Sequence, residues 1–321
     1  MKRSRRNRLA ALLGLGAIAA GAAGMGATYA AFSEQTGTAS NVVTAAPDFR
    51  GPTIAPFGIG KTSGTTLGSI RAGNSYRVYA NVSDVGSPAS GIQVVTANVS
   101  NITTGQVAVP LSAGSYSAGG QSFNYRSNTL TANVGLPNGS YAFTVRAMDI
   151  ALNSTTVSGS VSVDNSGATA TNIQTTNGSI AGRPQVGDTI TFTFSEPMDP
   201  DSLLPGWNGS TTNVLSGFQD ASGGDQFQVW NTDFDTQVRL GTVSMGRTDF
   251  TTSQLGFLTS TMTLSGNVLT VTLGGTVYGT VTTVGGTGTM RWTPSASAQD
   301  VAGNAMSTTA LNEPGTADRD F

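Results

Sequence analysis

The chain contains no cysteine and no histidine. Disulfides, thiolate nucleophiles, histidine-based catalytic triads and Cys/His zinc sites are therefore excluded within it. Charge is scarce as well: Asp, Glu, Lys and Arg make up 11% of the residues, against roughly 25% in ordinary soluble proteins. Thr, Ser, Asn and Gly fill the gap, with 42 glycines among 321 residues. Such a composition has little helical propensity and many turn formers. It favours short strands carried by β-branched residues, in a length sufficient for roughly two domains.

The net charge of -2 is unevenly spread. Lys2, Arg3, Arg5, Arg6 and Arg8 crowd the first eight residues, so the remainder is distinctly acidic. An acidic body lacks the basic stripe that nucleic-acid binding requires, and no such partner is expected. After the basic start, Leu9 to about Ala27 is uncharged and rich in Ala, Gly and Leu, and Thr28-Tyr29-Ala30-Ala31 offers small residues for cleavage after Ala30. Residues 1–30 thus read as a signal peptide with a helical core. The other reading is a retained membrane anchor, since the apolar run approaches the ~18–20 residues that span a bilayer. Contact with a membrane is expected only through this segment, if uncleaved. An extended lead-in follows over 31–55.

Ile190-Thr191-Phe192-Thr193-Phe194-Ser195-Glu196-Pro197-Met198-Asp199 organises the rest. Its alternation has a period of two, and Pro197 ends pairing near Glu196. About a hundred residues later stands Asp300-Val301-Ala302-Gly303-Asn304, and near the end of the first half stands the similar Asp149-Ile150-Ala151-Leu152-Asn153. Strands are predicted at Tyr76–Val82, Ile92–Val99, Gln106–Leu111 (with Pro110 suggesting an edge), Leu130–Val134, Tyr141–Ala147 and Thr156–Val163. In the second half they are predicted at Ala170–Gln174, Phe227–Trp230, Gln237–Val243, the hairpin Met262–Leu273, Val277–Val284 and Thr289–Trp292. The fold class is all-β: a sandwich over 56–165, a second over 168–315 with an insertion at about 204–284, and a polar tail at 316–321.

Three resemblances attach to these residues. Ala27-Thr28-Tyr29-Ala30-Ala31-Phe32-Ser33-Glu34, followed by Thr36, Thr38, Asn41 and Val42, resembles the start of exported proteins processed by the SipW-type signal peptidase. That group includes the camelysin and TasA biofilm-matrix proteins. Ser90-Gly91-Ile92, Gly139-Ser140-Tyr141, Val145 to Asp149 and Val161 to Asn165 resemble a bacterial immunoglobulin-like domain. Ser195 to Asp199, Ser202-Leu203 and Asp300 to Ala305 resemble the S-layer type of that domain. The resemblances imply two immunoglobulin-like modules in tandem and a secreted or cell-envelope address. They imply a non-enzymatic structural or adhesive role, with an envelope or matrix protein or a polysaccharide as partner.

Asp149 with Asn153, and Asp300 with Asn304, offer oxygens suited to calcium. They equally suit Asx-type turns, in which Asp and Asn bond their own backbone. Glu196 and Asp199, with Asp201, form the sharpest acidic corner. It reads as a solvated corner capping a turn at Ser202-Leu203, as a calcium site shared with Asp300, or as the carboxylate pair of a hydrolase. No cofactor other than calcium is expected. Trp207, Trp230, Trp292 and Tyr278 form either a sugar-binding platform or core, and the 204–284 insertion is the expected ligand surface of a polysaccharide-binding or enzyme-accessory alternative.

Overall fold

A computed structural model describes residues 48–64, 66–85, 88–275 and 277–321. The expected signal segment and most of the lead-in lie outside them. The first half carries β1 (Thr53–Lys61), β2 (Ser69–Ile70), β3 (Ser75–Ser83), β4 (Ile92–Asn98), β5 (Val109–Ala118), β6 (Gln121–Ser127), β7 (Leu130–Thr131), β8 (Gly139–Asp149) and β9 (Ser154–Val163). The second carries β10 (Ala170–Thr176), β11 (Thr189–Phe194), the short helix α1 (Pro200–Leu203), β12 (Thr212–Gln219), β13 (Gln226–Trp230) and β14 (Thr242–Ser244). It continues with β15 (Gln254–Ser265), β16 (Val268–Thr272), β17 (Val277–Tyr278), β18 (Arg291–Thr293) and β19 (Leu311–Asn312). The protein is nearly all β, as the composition requires.

The strands form two sheets, each curling on itself like a barrel. The first runs β1-β3-β6-β5-β4-β8-β9-β2, with β7 on β3. A bridge between Gly60 and Leu67 brings the end near β2 back to β1. The second runs β10-β11-β16-β15-β12-β13-β14-β18-β19, with β17 on β15. Pro110 lies on β5, between β4 and β6, and not at an edge. It is tolerated because β4 and β5 share only the pairs Thr96–Pro110 and Ala97–Val109, so the missing N–H falls where the ladder is shortest. The strands expected over 237–243 and 277–284 shrink to β14 and β17. In β17 only Val277 and Tyr278 pair, both exposed, and Gly279 follows at φ +89°.

Alternation decides what each sheet buries. In β3, Tyr76, Val78, Ala80 and Val82 point inward, and in β8 Phe143, Val145 and Ala147 meet them. In β11, Ile190, Phe192 and Phe194 are buried while the threonines between them are half-exposed. Phe192 and Phe194 both pack edge-on against Trp292, with ring centroids 5.0 and 5.3 Å away. The Trp292 indole N–H donates to the Leu240 carbonyl at 2.7 Å, which satisfies the polar atom of a fully buried ring. Each buried ring of this size contributes on the order of 2–3 kcal/mol of transfer free energy. Phe321, in the stretch expected to be a polar tail, is fully buried and packs edge-on against Phe218, 5.4 Å between centroids.

The two sheets meet at a polar seam that excludes water. Lys61, the last residue of β1, places Nζ 2.6 Å from Oδ2 of Asp199, and both side chains are 3% exposed. Lys61 Nζ also donates to the Asp300 carbonyl at 3.3 Å, and the Thr66 hydroxyl donates to the Val301 carbonyl. Asp199 is the N-cap of α1, taking the Asp201 N–H on its side chain, with Pro200 opening the helix. Gly64, at φ +85°, crosses the pair so closely that a Cβ there would lie 2.0 Å from the Asp199 carboxylate. The ends of β1 and β11 are thereby fixed against each other, and the described residues form one compact unit.

Replacing one member of a buried ion pair strands the other charge, which typically costs about 3–5 kcal/mol, whereas exchanging both for apolar residues is often neutral. Lys61→Met should therefore lower the unfolding free energy by about that amount, and Lys61→Met combined with Asp199→Leu should recover most of it. Urea denaturation of the three proteins checks this; a loss below about 1 kcal/mol in the single variant, the value of an exposed pair, would count against a buried one.

Candidate functional site

Each half carries the same Asp-to-Asn turn before its last strand. At the end of β8 the Asp149 N–H donates to the Asn153 carbonyl at 3.0 Å, and the Asn153 N–H donates back to Asp149 Oδ1 at 2.8 Å. In the second half the Asp300 N–H donates to the Asn304 carbonyl at 3.1 Å, and the Asn304 N–H to Asp300 Oδ1 at 2.9 Å. The Asn side-chain amide binds the second carboxylate oxygen in both, at 2.9 Å for Asn153 and 2.8 Å for Asn304. The same amide also reaches the chain that enters the half: Asn153 donates to the Asp48 carbonyl and Asn304 to the Asp164 carbonyl. Each turn thus clasps the chain that enters its own half.

The turns collect carboxylates that are distant in sequence. Asp149 lies with Asp48 and Asp84, and Asp300 with Asp164 and Glu196; within each trio one oxygen per residue lies within 4.8 Å of the others. The trios correspond residue by residue. Asp48 and Asp164 precede the first strand of their half, and each accepts the N–H two residues on, from Arg50 and Ser166. Asp84 follows β3, and Glu196 follows β11 after Ser195. Of the residues singled out from sequence, Asp149 and Asn153 meet in one trio's turn, and Glu196, Asp300 and Asn304 meet at the other. Asp199 stands outside both, engaged by Lys61. Asp201 accepts the Gly206 N–H at 2.7 Å in the loop after α1. Asp48, Asp84 and Asp164 carry the faintest sequence signal: an acid just before or just after an alternating strand, in matching places of the two halves.

The electrostatics of the trios differ. Donation from the Arg50 N–H, then from Ser90, holds the Asp48 carboxyl below its usual range. Glu196 is pushed up to about 7, first by burial, then by its hydrogen bond with Asp164 and by the charges of Asp300 and Asp164. Chemically, each trio offers hard oxygens that would suit calcium, or a carboxylate set that shares protons. The two oxygens of Asp149 and of Asp300 are already used inside their turns, which makes both residues first of all turn formers.

A second feature lies on the outer face of the second sheet. β12, β13, β15 and β17 enclose a groove of about 270 Å³ lined by Leu215, Trp230, Phe234, Leu258 and Tyr278, with Gln219, Gln228 and Gln254 among its polar members. Its floor is low because Gly217 and Gly256 pair there without side chains. Phe234 and Tyr278 are 62% and 63% exposed, and the Trp230 ring lies 4.8 Å from that of Phe234. The Trp230 N–H donates to Gln228, and Gln228 donates to Gln219, so a chain of amides follows the aromatic wall. Trp207 and Trp292 are buried, with their indole N–H groups spent on the Ser210 and Leu240 carbonyls. Of the expected platform, only Trp230 and Tyr278 face this groove. No carboxylate lines it among the described residues.

Compared with protein-family models, with curated proteins and with solved structures, the chain shows no match.

Two outcomes follow from the turns. The folded state keeps the Glu196 proton between the ordinary carboxyl value of 4.5 and about 7. It therefore binds more protons than the unfolded chain in that window, and stability falls as pH rises through it. Glu196→Gln should remove part of that decline, read as a flatter melting temperature against pH between 4.5 and 7.5. An unchanged slope would mean that Glu196 is ionised throughout. Leu152 occupies at φ +70° the place that Gly303 fills at φ +92°, a region costing an L-residue about 1–2 kcal/mol. With Leu152 67% exposed, Leu152→Gly should gain about 0.5–1 kcal/mol after the entropy of glycine in the unfolded chain is counted. Thermal unfolding checks the sign: a loss of stability would show that the Leu152 side chain packs usefully.

Proposed function

We propose that the protein is a non-enzymatic, secreted or cell-envelope structural and adhesive protein. Its two halves are read as immunoglobulin-like sandwiches in tandem after an exported leader. The observation that carries this reading is the locking of two β bodies into one unit through Lys61 and Asp199, an arrangement suited to presenting a surface at a fixed distance and angle. The acidic residues singled out from the sequence support it, since Asp149, Glu196 and Asp300 gather at the turns and Asp199 at the seam, and none of them lines the groove. A hydrolase would need paired acids facing a substrate cleft. The basic and apolar leader in the sequence supports export. Among the described residues no helix is long and apolar enough to cross a membrane.

The aromatic groove favours a second reading, a polysaccharide-binding or enzyme-accessory module. Exposed rings give flat apolar faces and the Gln219–Gln228 amides give directional donors and acceptors, the mixture of apolar wall and few polar groups that ligand sites share. Under either reading the groove is the contact surface. Tyr278→Ala and Trp230→Ala should each weaken retention of the mature chain on isolated envelope material by about tenfold, the effect of losing an interface anchor. Sedimentation with envelope preparations, before and after removal of their protein, measures this. Retention that survives deproteination assigns the partner as polysaccharide, and retention that is lost assigns it as protein. Undiminished retention by both variants would remove the groove from the account.

A further inference from the structure

A third acidic trio lies far from the turns, where the last described segment returns to β10. Glu313, Asp318 and Asp320 bring one carboxylate oxygen each to within 4.8 Å of the others. Backbone bonds set their places: the Glu313 N–H donates to the Met290 carbonyl at 2.8 Å, and the Gly288 N–H to the Asp318 carbonyl at 2.7 Å. Asp320 is drawn inward because Phe321 beside it is fully buried in the core. Convergence of the three acids is therefore imposed by the path of the chain.

Asp320 is the informative member. It is 2% exposed. Its Oδ1 accepts the Thr175 hydroxyl at 3.0 Å, and its Oδ2 has no hydrogen-bond partner among the described residues. A buried carboxylate oxygen without a partner is costly, and here two further acids lie beside Asp320, with no ion pair to a lysine or arginine for any of the three among the described residues. Burial, then the charge of Glu313, and also that of Asp318, push the Asp320 carboxyl up to about 7. The Glu313 carboxyl is raised as well, by burial first and by the charge of Asp318. A cation at the point where the three converge would offset all of these penalties together.

We propose that Glu313, Asp318 and Asp320 form a binding site for a divalent cation, calcium by its all-oxygen ligand set, which clamps the last segment of the chain against β10. Calcium accepts six to eight oxygens in flexible geometry, and the exposed side at Asp318 leaves room for water to complete the shell. Magnesium, which demands a near-ideal octahedron, fits a set of three crowded carboxylates less well. The clamp is independent of the Asp149 and Asp300 turns.

Calorimetric titration of the chelator-stripped full chain with calcium chloride tests the site, alongside thermal melts with and without calcium. Asp318→Asn changes an exposed side chain and leaves the buried packing intact, so it is the primary variant; Asp320→Asn is the second. The wild type should bind calcium and melt at a higher temperature with it. Asp318→Asn should weaken binding at least about tenfold and abolish most of that rise, while Glu196→Gln and Asp84→Asn leave the site unaffected. Equal isotherms and equal calcium-dependent melts for wild type and Asp318→Asn would overturn the proposal, as would a wild type that binds no calcium. If Asp320→Asn binds no calcium and is also misfolded, the Asp318→Asn result alone decides.

Discussion

A lysine and an aspartate almost shut off from water govern how the two β bodies sit. Lys61 ends the first strand of one sheet, and Asp199 caps the helical turn α1 of the other half. Their burial means that neither charge tolerates separation: opening the seam would expose or orphan both. The backbone around them is shaped to the same end, with Gly64 lying against the carboxylate and the Asp300 carbonyl taking the lysine. Two independent hydrophobic cores supply the stability of the halves, while this polar seam supplies their orientation. Apolar packing alone would hold the halves together without fixing an angle, because it is non-directional.

The repeated turn explains how two halves with different sheets share one plan. Each needs a device that ties its last strand to the point where the chain enters, and an Asp that bonds forward to an Asn does this with four residues between β8 and β9 or just after Gln299. The Asn amide then reaches the entering chain at Asp48 or Asp164. In the second half the same turn also abuts the first body, since Thr66 and Lys61 donate to its carbonyls. One local motif thus serves closure in the first half, and closure plus the inter-body seam in the second. The acidic trios are a by-product of that economy: entry, strand exit and turn each bring one carboxylate to the same corner.

Much of this is legible in the chain itself. The alternation of Ile190, Phe192 and Phe194 places them in a core, and Tyr76 to Val82 behaves likewise. The Asp149 and Asp300 segments announce turns, and Asp199 before Pro200 announces a cap. What the chain does not announce is anything that depends on long-range pairing. Nothing local marks Lys61 as the partner of Asp199, 138 positions later. Phe321 reads as the end of a polar stretch because the three residues before it are charged, yet the aromatic cluster of Phe218 and Phe250 receives it. The tryptophans are alike in sequence and differ in fate, because exposure is set by the face of the sheet each one meets: Trp292 points into the core against Phe192 and Phe194, and Trp230 lies at the groove beside Phe234.

The seam at Lys61 and Asp199 fixes the two bodies relative to each other. The absence of native cysteine makes a distance measurement clean: Val107→Cys in the first body and Val186→Cys in the second are exposed positions, 63% and 57%, suitable for paired spin labels. Pulsed dipolar spectroscopy on the doubly labelled chain should give one narrow distance distribution, and the same labels with Asp199→Asn should give a broadened one. A distribution that is already broad with Asp199 intact, or one equally narrow without its charge, would contradict the account.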